Sequence, residues 1–141
     1  MKKNNYKKLA IFIAIPLALG GIIGLITSGE SSNYNGPVPG WIFPVVWSIL
    51  YILMGISSYL VSDNRKLLNI YFISLVVNLL WPIVFFLLKL KVLAFFWILA
   101  LILIVGYMIY LFYKEDKLSS YLLIPYILWL IFASVLNLLE I

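Results

Sequence analysis

Two tryptophans inside long apolar runs are the side chains whose chemistry most needs an explanation. Trp129 lies near the middle of the run Leu118–Leu139, and Trp47 lies inside the run Trp41–Ser62. Both runs are long enough to cross a bilayer, and tryptophan is normally enriched at the edges of such spans. An indole within the hydrocarbon presents a flat aromatic face and an N–H that needs an acceptor. These residues therefore offer stacking and hydrogen bonding, either to another helix or to a bound ligand.

Catalytic groups of the common kinds are missing from the apolar runs. The 141-residue chain has no histidine and no cysteine, which removes the usual ligands of zinc and of haem iron. No Asp, Glu, Lys or Arg lies inside the runs, whereas ion-coupled transporters usually keep such a group at mid-membrane. The sequence shows no nucleophile–base pair and no paired carboxylates. We therefore expect no metal site and no conventional active site.

Five apolar helices must position the two tryptophans. The chain is 65% hydrophobic with a mean hydropathy of +1.13, which is more apolar surface than a soluble core can bury. Windows of about 20 apolar residues, separated by short polar breaks, predict an all-α integral membrane protein. We expect one five-transmembrane-helix bundle over residues 1–141. The predicted helices are Leu9–Thr27, Trp41–Ser62, Leu67–Leu88, Val92–Tyr113 and Leu118–Leu139.

Basic residues flank the predicted helices and form no patch, so the net charge of +5 does not indicate nucleic-acid binding. We interpret the first apolar run as a membrane span because it is longer than a signal-peptide core and no cleavage site follows it. Counting Lys and Arg in the flanks predicts a cytoplasmic N-terminus and a C-terminus outside. Only Lys89 and Lys91 then lie outside. The cytoplasmic flanks carry Lys2, Lys3, Lys7, Lys8, Arg65, Lys66, Lys114 and Lys117.

The fifth predicted helix carries Pro125, Trp129, Ala133 and Asn137 at four-residue steps, which keep them roughly on one face. A bulky indole one turn before a small alanine leaves space beside it, and Asn137 adds an amide. Such a face fits the wall of a pocket. It also fits a helix–helix contact, where small residues and amides concentrate, and spacing does not decide between the two.

The third predicted helix has a similar face, formed by Asn78, Trp81, Pro82 and Phe85. An asparagine in mid-span is costly unless its amide is hydrogen-bonded. Asn78 should therefore face the bundle interior, where either a ligand or another helix would satisfy it.

Two smaller patterns occur in the second and first helices. Trp47 and Tyr51 lie one turn apart on the same face of the second helix. In the first helix, Gly20, Gly21 and Gly24 form a small-xxx-small pattern that permits close helix approach.

Three stretches on these helices resemble motifs of the tryptophan-rich sensory protein/translocator protein family (TspO/MBR). The second-helix motif corresponds to Pro39–Gly55, the third-helix motif to Asn78–Phe86 and the fifth-helix motif to Pro125–Asn137. The three occur in order with fitting separations, and together they cover roughly Pro37–Asn137. The resemblance implies a five-helix bundle, in agreement with the spans counted from hydropathy.

The resemblance also implies a function. Family members bind porphyrins and similar apolar ligands in a pocket between the helices, which suggests a tetrapyrrole sensor, regulator or carrier that forms a homodimer. Porphyrin would be a ligand and not a resident cofactor. Carried over by position, the residues lining the pocket would be Trp47, Tyr51, Asn78, Phe85, Trp129 and Ala133. The helix faces described above add Trp81 and Asn137 to the expected ligand-binding set.

Two other functions stay open. The first is an enzyme that promotes light-dependent porphyrin degradation, with the indole of Trp47 or Trp129 as electron donor. The second is a passive transporter of small amphiphiles, which would need a route that opens to both membrane faces.

Two features of the outer flanks bear on ligand binding. A porphyrin is a flat disc with carboxylates at one edge, and Lys89 and Lys91, on the same predicted side as the first loop, are candidate partners for them. Without histidine or cysteine to hold iron, we expect metal-free porphyrin to be preferred over haem. The first loop, Ser28–Gly40, is shorter than usual for the family and lacks tryptophan and lysine, which predicts weaker ligand retention.

Overall fold

Apolar helices joined by short connections make up the structure, a computed structural model that describes residues 6–31 and 42–139. Most of the first loop, the start of the predicted second helix at Trp41, and the flanking Lys2 and Lys3 lie outside these residues. The elements in chain order are α1 (Tyr6–Ser31), α2 (Ile42–Leu60), α3 (Arg65–Pro82), a π-helical turn (Ile83–Leu87), α4 (Lys91–Glu115), α5 (Lys117–Leu122) and α6 (Ile124–Leu139).

The described helices have the length and composition of membrane spans. Four segments are long enough to cross a bilayer, and the apolar helix Pro44–Leu60 is shorter. At about 1.5 Å per residue, α2 spans about 28 Å, close to the ~30 Å hydrocarbon core. Large apolar side chains cover the exterior, and Leu25 and Leu103 are 78% and 75% exposed. The predicted all-α membrane bundle is confirmed, and the chain is an integral membrane protein. The long segments are Tyr6–Thr27, Arg65–Leu87, Lys91–Glu115 and Lys117–Leu139.

The helices form a ring whose order differs from their order in the chain. α1 packs against α2 on one side and against α3 and the π-helical turn on the other. α2 packs against α5 and α6, and α4 closes the ring between α6 and α3. One polar contact joins α2 to α5, since the Ser57 hydroxyl donates to the Ser119 carbonyl at 2.7 Å.

The polar breaks of the sequence supply helix N-caps. The Asn64 side chain accepts a hydrogen bond from the Leu67 N–H at 3.2 Å, and Asp116 accepts one from the Ser119 N–H at 3.1 Å. Each cap satisfies a backbone donor that has no partner within its own helix. The breaks therefore start α3 and α5 at defined residues.

A close backbone contact fixes α1 on α2. A Cβ added to Gly55 would lie 2.6 Å from the Cα of Ile13 and 2.6 Å from the Phe12 carbonyl oxygen, so only glycine fits. Pro16, inside α1, has no N–H to donate to that same Phe12 carbonyl. The Cα of Gly55 therefore faces the Phe12 carbonyl, which accepts no backbone hydrogen bond from Pro16 within α1.

The third predicted helix does not continue as one α-helix to Leu88. After Pro82, which offers no N–H to the preceding turn, the chain widens into the π-helical turn. The Leu88 N–H closes this turn by donating to the Ile83 carbonyl at 2.9 Å. Lys89 then takes a left-handed conformation, with φ of 56°, and ends the segment.

The fifth predicted helix consists of two helices. α5 ends at Leu122, and the Leu123 N–H donates back to the Ser120 carbonyl at 3.1 Å. Pro125 lies in the first turn of α6, where its missing N–H has no cost. The proline that the sequence places near the start of this span therefore marks the beginning of a new helix.

Candidate functional site

A cavity of about 370 Å³ lies between α1, α2 and the end of α3. It lies at the end of the bundle where α1 finishes and α2 begins, and it is partly open. Most of its lining is apolar. The lining residues are Leu17, Gly20, Gly21, Ile23, Gly24, Leu25 and Thr27 of α1, Pro44, Trp47, Ser48 and Tyr51 of α2, and Pro82 and Phe86.

Glycines of α1 form one wall of the cavity, and they serve two purposes. The ring of Tyr51 packs so closely against Gly20 that an added Cβ would collide with the ring carbons. A Cβ added at Gly21 or Gly24 would meet no atom within 4 Å. The first glycine therefore permits close packing of α1 on α2, whereas the other two leave open space.

Aromatic side chains form the opposite wall. Trp47 and Tyr51 are stacked, with ring centroids 5.6 Å apart and an interplanar angle of 27°. Trp47 also meets Trp129 edge to face at 6.3 Å and Tyr126 at 6.5 Å. Because such arrangements are the favoured ones for aromatic pairs, Trp47 is held by neighbours on two helices while it lines the cavity.

A chain of hydrogen bonds runs from the cavity wall across the middle of the bundle. The Tyr51 hydroxyl donates to Oδ1 of Asn78 at 2.8 Å, and Nδ2 of Asn78 donates to the Tyr126 hydroxyl at 2.9 Å. Asn78 is buried, as its position in mid-span predicts. The Asn78 amide therefore joins α2, α3 and α6 and holds the Tyr51 ring in place.

A second polar cluster joins α3, α4 and α6 near the C-terminal end of α3. The Trp81 indole N–H donates to Oδ1 of Asn137 at 3.1 Å, and Nδ2 of Asn137 donates to the Lys91 carbonyl at 2.9 Å. The rings of Trp81 and Phe85 are stacked with centroids 5.0 Å apart. This cluster matches the helix–helix contact that the spacing of these residues allowed.

The predicted site residues thus fall into separate groups. Trp47 and Tyr51 line the cavity, and Asn78 and Trp129 contact them from behind. Trp81, Phe85 and Asn137 belong to the second cluster, and Ala133 is buried in the core. Pro125 of the same predicted face is exposed. The ligand-binding role of these residues stays a prediction.

Several cavity residues escaped the sequence analysis. Gly21 and Gly24 stood out only as a packing pattern, and the spacing within one helix could not show that they face open space. Phe86 lines the cavity because the π-helical turn carries it there. No periodicity signal predicts a π-helical turn, although Pro82 marks where it starts.

Lys89 and Lys91 lie at the cavity's end of the bundle. Lys89 is exposed, and Nζ of Lys91 lies 4.3 Å from the centroid of the Phe85 ring. Phe85 in turn meets the cavity residue Phe86 edge to face at 4.8 Å. The Lys91 ammonium group is therefore separated from the cavity by the rings of Phe85 and Phe86.

Comparison with known proteins agrees with the motifs. The sequence model of the TspO/MBR family matches residues 12–139. The tryptophan-rich protein TspO of Archaeoglobus fulgidus is 32% identical over 94% of each chain. The CrtK protein of Rhodobacter capsulatus is 37% identical over 70% of this chain and 66% of its own. The translocator protein of Bos taurus is 29% identical over 89% of this chain and 83% of its own.

Proposed function

Because the chain belongs to the TspO/MBR family, we propose that it binds a protoporphyrin-type tetrapyrrole in the cavity between α1, α2 and α3. In this role it acts as a sensor and regulator of tetrapyrroles, or as their carrier within the membrane. The names of its relatives are consistent with such roles, since one is called a sensory protein and another a translocator protein.

The observation that carries the proposal is the shape of the cavity. Glycine backbone on one side faces the stacked rings of Trp47 and Tyr51 on the other, which makes a slot suited to a flat ring system. Its volume of about 370 Å³ lies within the range of small-molecule pockets. Each aromatic contact with the ligand would add about 0.5–1.5 kcal/mol beyond the effect of area burial.

The ends of the cavity suit the two ends of the ligand. A porphyrin placed with its apolar edge against Tyr51 would direct its carboxylates toward the outer end of the bundle, where Lys89 and Lys91 lie. Its centre needs no metal, and we expect metal-free protoporphyrin to bind more tightly than haem. Haem quenching tryptophan emission at lower concentration than protoporphyrin would contradict this expectation.

Titration of the purified protein in nanodiscs with protoporphyrin IX tests the proposal. The informative variant is Gly24→Leu, which places a larger side chain at a cavity-lining position where an added Cβ meets no atom within 4 Å. We expect it to weaken binding by about tenfold, or ~1.4 kcal/mol, as measured by the Soret shift and by tryptophan quenching.

The matched control is Ala14→Leu, which adds a side chain to an exposed position of the same helix outside the cavity. Its affinity should equal that of the unmodified protein. Equal affinities for all three proteins would mean that porphyrin does not occupy this cavity.

A second candidate function is light-dependent porphyrin degradation. Support for it comes from the contact between Trp47, which lines the cavity, and Trp129 behind it, because a ligand in the cavity would have one oxidisable indole beside it and a second in contact with the first. An indole would then donate one electron to the light-excited porphyrin, leaving an indole radical cation and a porphyrin radical anion, and dissolved dioxygen would be the oxidant that opens the ring. Unchanged light-dependent porphyrin loss in the double variant Trp47→Phe/Trp129→Phe would end this candidate.

The orientation and the assembly complete the proposal. The excess of basic residues at the N-terminus and beside the second and fourth connections favours a cytoplasmic N-terminus and a C-terminus outside. The family resemblance favours a homodimer. A C-terminal reporter that is active in the cytoplasm would contradict the orientation, and a monomeric mass in native nanodiscs would contradict the dimer.

A further inference from the structure

The cavity has an exposed side, and the burial of its lining residues shows where that side is. Gly21, Gly24 and Leu25 of α1 are exposed, and so are Pro44 and Ser48 of α2. The lining residues that follow α2 in the chain, Pro82 and Phe86, are half-buried. The open side is therefore the gap between α1 and α2.

This gap lies at the depth of the hydrocarbon. Gly21 precedes the last residue of α1 by ten positions, or about 15 Å along the helix axis. Tyr51 lies a similar distance from the start of α2. Because the hydrocarbon core is about 30 Å thick, the gap extends from near the midplane through one leaflet.

Within the described residues, the hydroxyls that line the gap already have acceptors in their own helices. The Ser48 hydroxyl donates to the Pro44 carbonyl at 2.7 Å, and the Thr27 hydroxyl donates to the Ile23 carbonyl at 2.9 Å. Both bonds stay within a helix, so the passage of a ligand breaks no contact between helices. Water would form few hydrogen bonds in the gap, whereas acyl chains and apolar ligands lose no hydrogen bonds by entering it.

The width of the gap depends on two missing side chains. A Cβ at Gly21 or Gly24 would meet nothing within 4 Å, so these positions leave open space that a larger side chain would narrow. In a helix interior, glycine costs about 1 kcal/mol relative to alanine. The two glycines therefore keep this space open at a cost in helix stability.

From these observations we infer that the ligand enters and leaves the cavity sideways, from the acyl-chain region of one leaflet, through the gap between α1 and α2. Gly21 and Gly24 form the low edge of this opening. The inference rests on the proposed function, since it needs a ligand in the cavity. It narrows the ligand class to amphiphiles that dissolve in the bilayer and excludes molecules confined to water.

Two porphyrin conjugates test the route on the protein in nanodiscs. In one, protoporphyrin is linked to the end of a phospholipid acyl chain; in the other, it is linked to a large dextran that cannot enter the bilayer. We expect the first to quench tryptophan emission as free protoporphyrin does, with the Gly24→Leu variant weakening it, and the second to leave emission unchanged.

The outcomes separate the route from the function. If free protoporphyrin binds and the dextran conjugate also binds, the sideways route is overturned and the proposed function stands. The same conclusion follows if free protoporphyrin binds but the acyl-linked conjugate does not. Absence of binding by free protoporphyrin overturns both.

Kinetics give an independent readout. Gly21→Leu narrows the opening, so stopped-flow association and dissociation of protoporphyrin should both slow by about tenfold, with a smaller change in affinity. The control Ala14→Leu should leave both rates unchanged. Unaltered rates in Gly21→Leu, or faster dissociation, would show that the gap is not the route.

Discussion

At the scale of single residues, buried hydroxyls differ in whether they have a partner. Tyr51 and Tyr126 are both bonded to Asn78, at 2.8 and 2.9 Å. The Tyr71 hydroxyl, in a side chain only 1% exposed, makes no hydrogen bond of good geometry among the described residues, and its polar neighbour is the Ser58 side chain. Because lipid supplies no replacement donors or acceptors, loss of the hydroxyl should lower the free energy of unfolding at Tyr51 and Tyr126 far more than at Tyr71.

Asn78→Leu should destabilise the bundle by about 2 kcal/mol, because it leaves two buried hydroxyls without their partner. Tyr71→Phe should change stability by less than about 0.5 kcal/mol, or raise it slightly, since the hydroxyl that it removes has only a weak contact with Ser58 to lose. Unfolding in mixed micelles of increasing denaturing detergent measures both. A greater loss in Tyr71→Phe than in Tyr51→Phe would contradict this account.

At the scale of elements, the α1–α2 pair combines tight and open packing along one helix. Gly55 brings the backbones together near Ile13, and Gly20 admits the Tyr51 ring. At Gly21, the next residue, and at Gly24, one turn after Gly20, an added Cβ would contact nothing within 4 Å. One helix is therefore fixed near its middle and leaves the cavity open in its second half.

Alanine at matched glycines should separate these two kinds of packing. Gly55→Ala should destabilise the protein by about 2 kcal/mol, because its Cβ would overlap the α1 backbone, which cannot move as a side chain does. Gly21→Ala should stabilise it by up to about 1 kcal/mol through helix propensity alone. Thermal unfolding in one detergent checks the pair, and equal melting temperatures would count against the packing described.

The elements also show what sequence could and could not predict. Apolar runs and polar breaks predicted the membrane helices because lipid requires both. Asn78 was placed inside, and Trp47 and Tyr51 on one face, by the same local physics. The two breaks at Leu123 and after Pro82 were missed, because hydropathy does not register a change in backbone hydrogen bonding. The wall formed by α1 was missed because spacing within a helix does not identify its neighbour.

At the scale of the whole molecule, charge is confined to the ends of an apolar body. Lys89 and Lys91 lie at the end of α3 and the start of α4, beside the cavity's end of the bundle. A ligand with carboxylates and an apolar ring would gain binding free energy from the lysines and from the apolar cavity at the same time. The ring contributes to binding whether or not the carboxylates are charged.

The double variant Lys89→Gln/Lys91→Gln should therefore weaken protoporphyrin IX binding by about threefold to tenfold, as expected for exposed charge pairs worth up to ~1 kcal/mol. Binding of protoporphyrin dimethyl ester, which lacks the carboxylates, should not change. Parallel titrations of the two ligands at low salt provide the comparison. An equal loss for both would assign the lysines to structure and not to ligand charge.

The partly open cavity has a consequence for selectivity. Inside a bilayer, lipid acyl chains fill an apolar cavity whenever no ligand is present. Ligand binding therefore exchanges one apolar molecule in the cavity for another. The hydrophobic effect then contributes almost nothing to the net free energy. Discrimination among ligands must come from rigidity and ring-to-ring contact, and measured affinities should shift with the chain length and unsaturation of the host lipid.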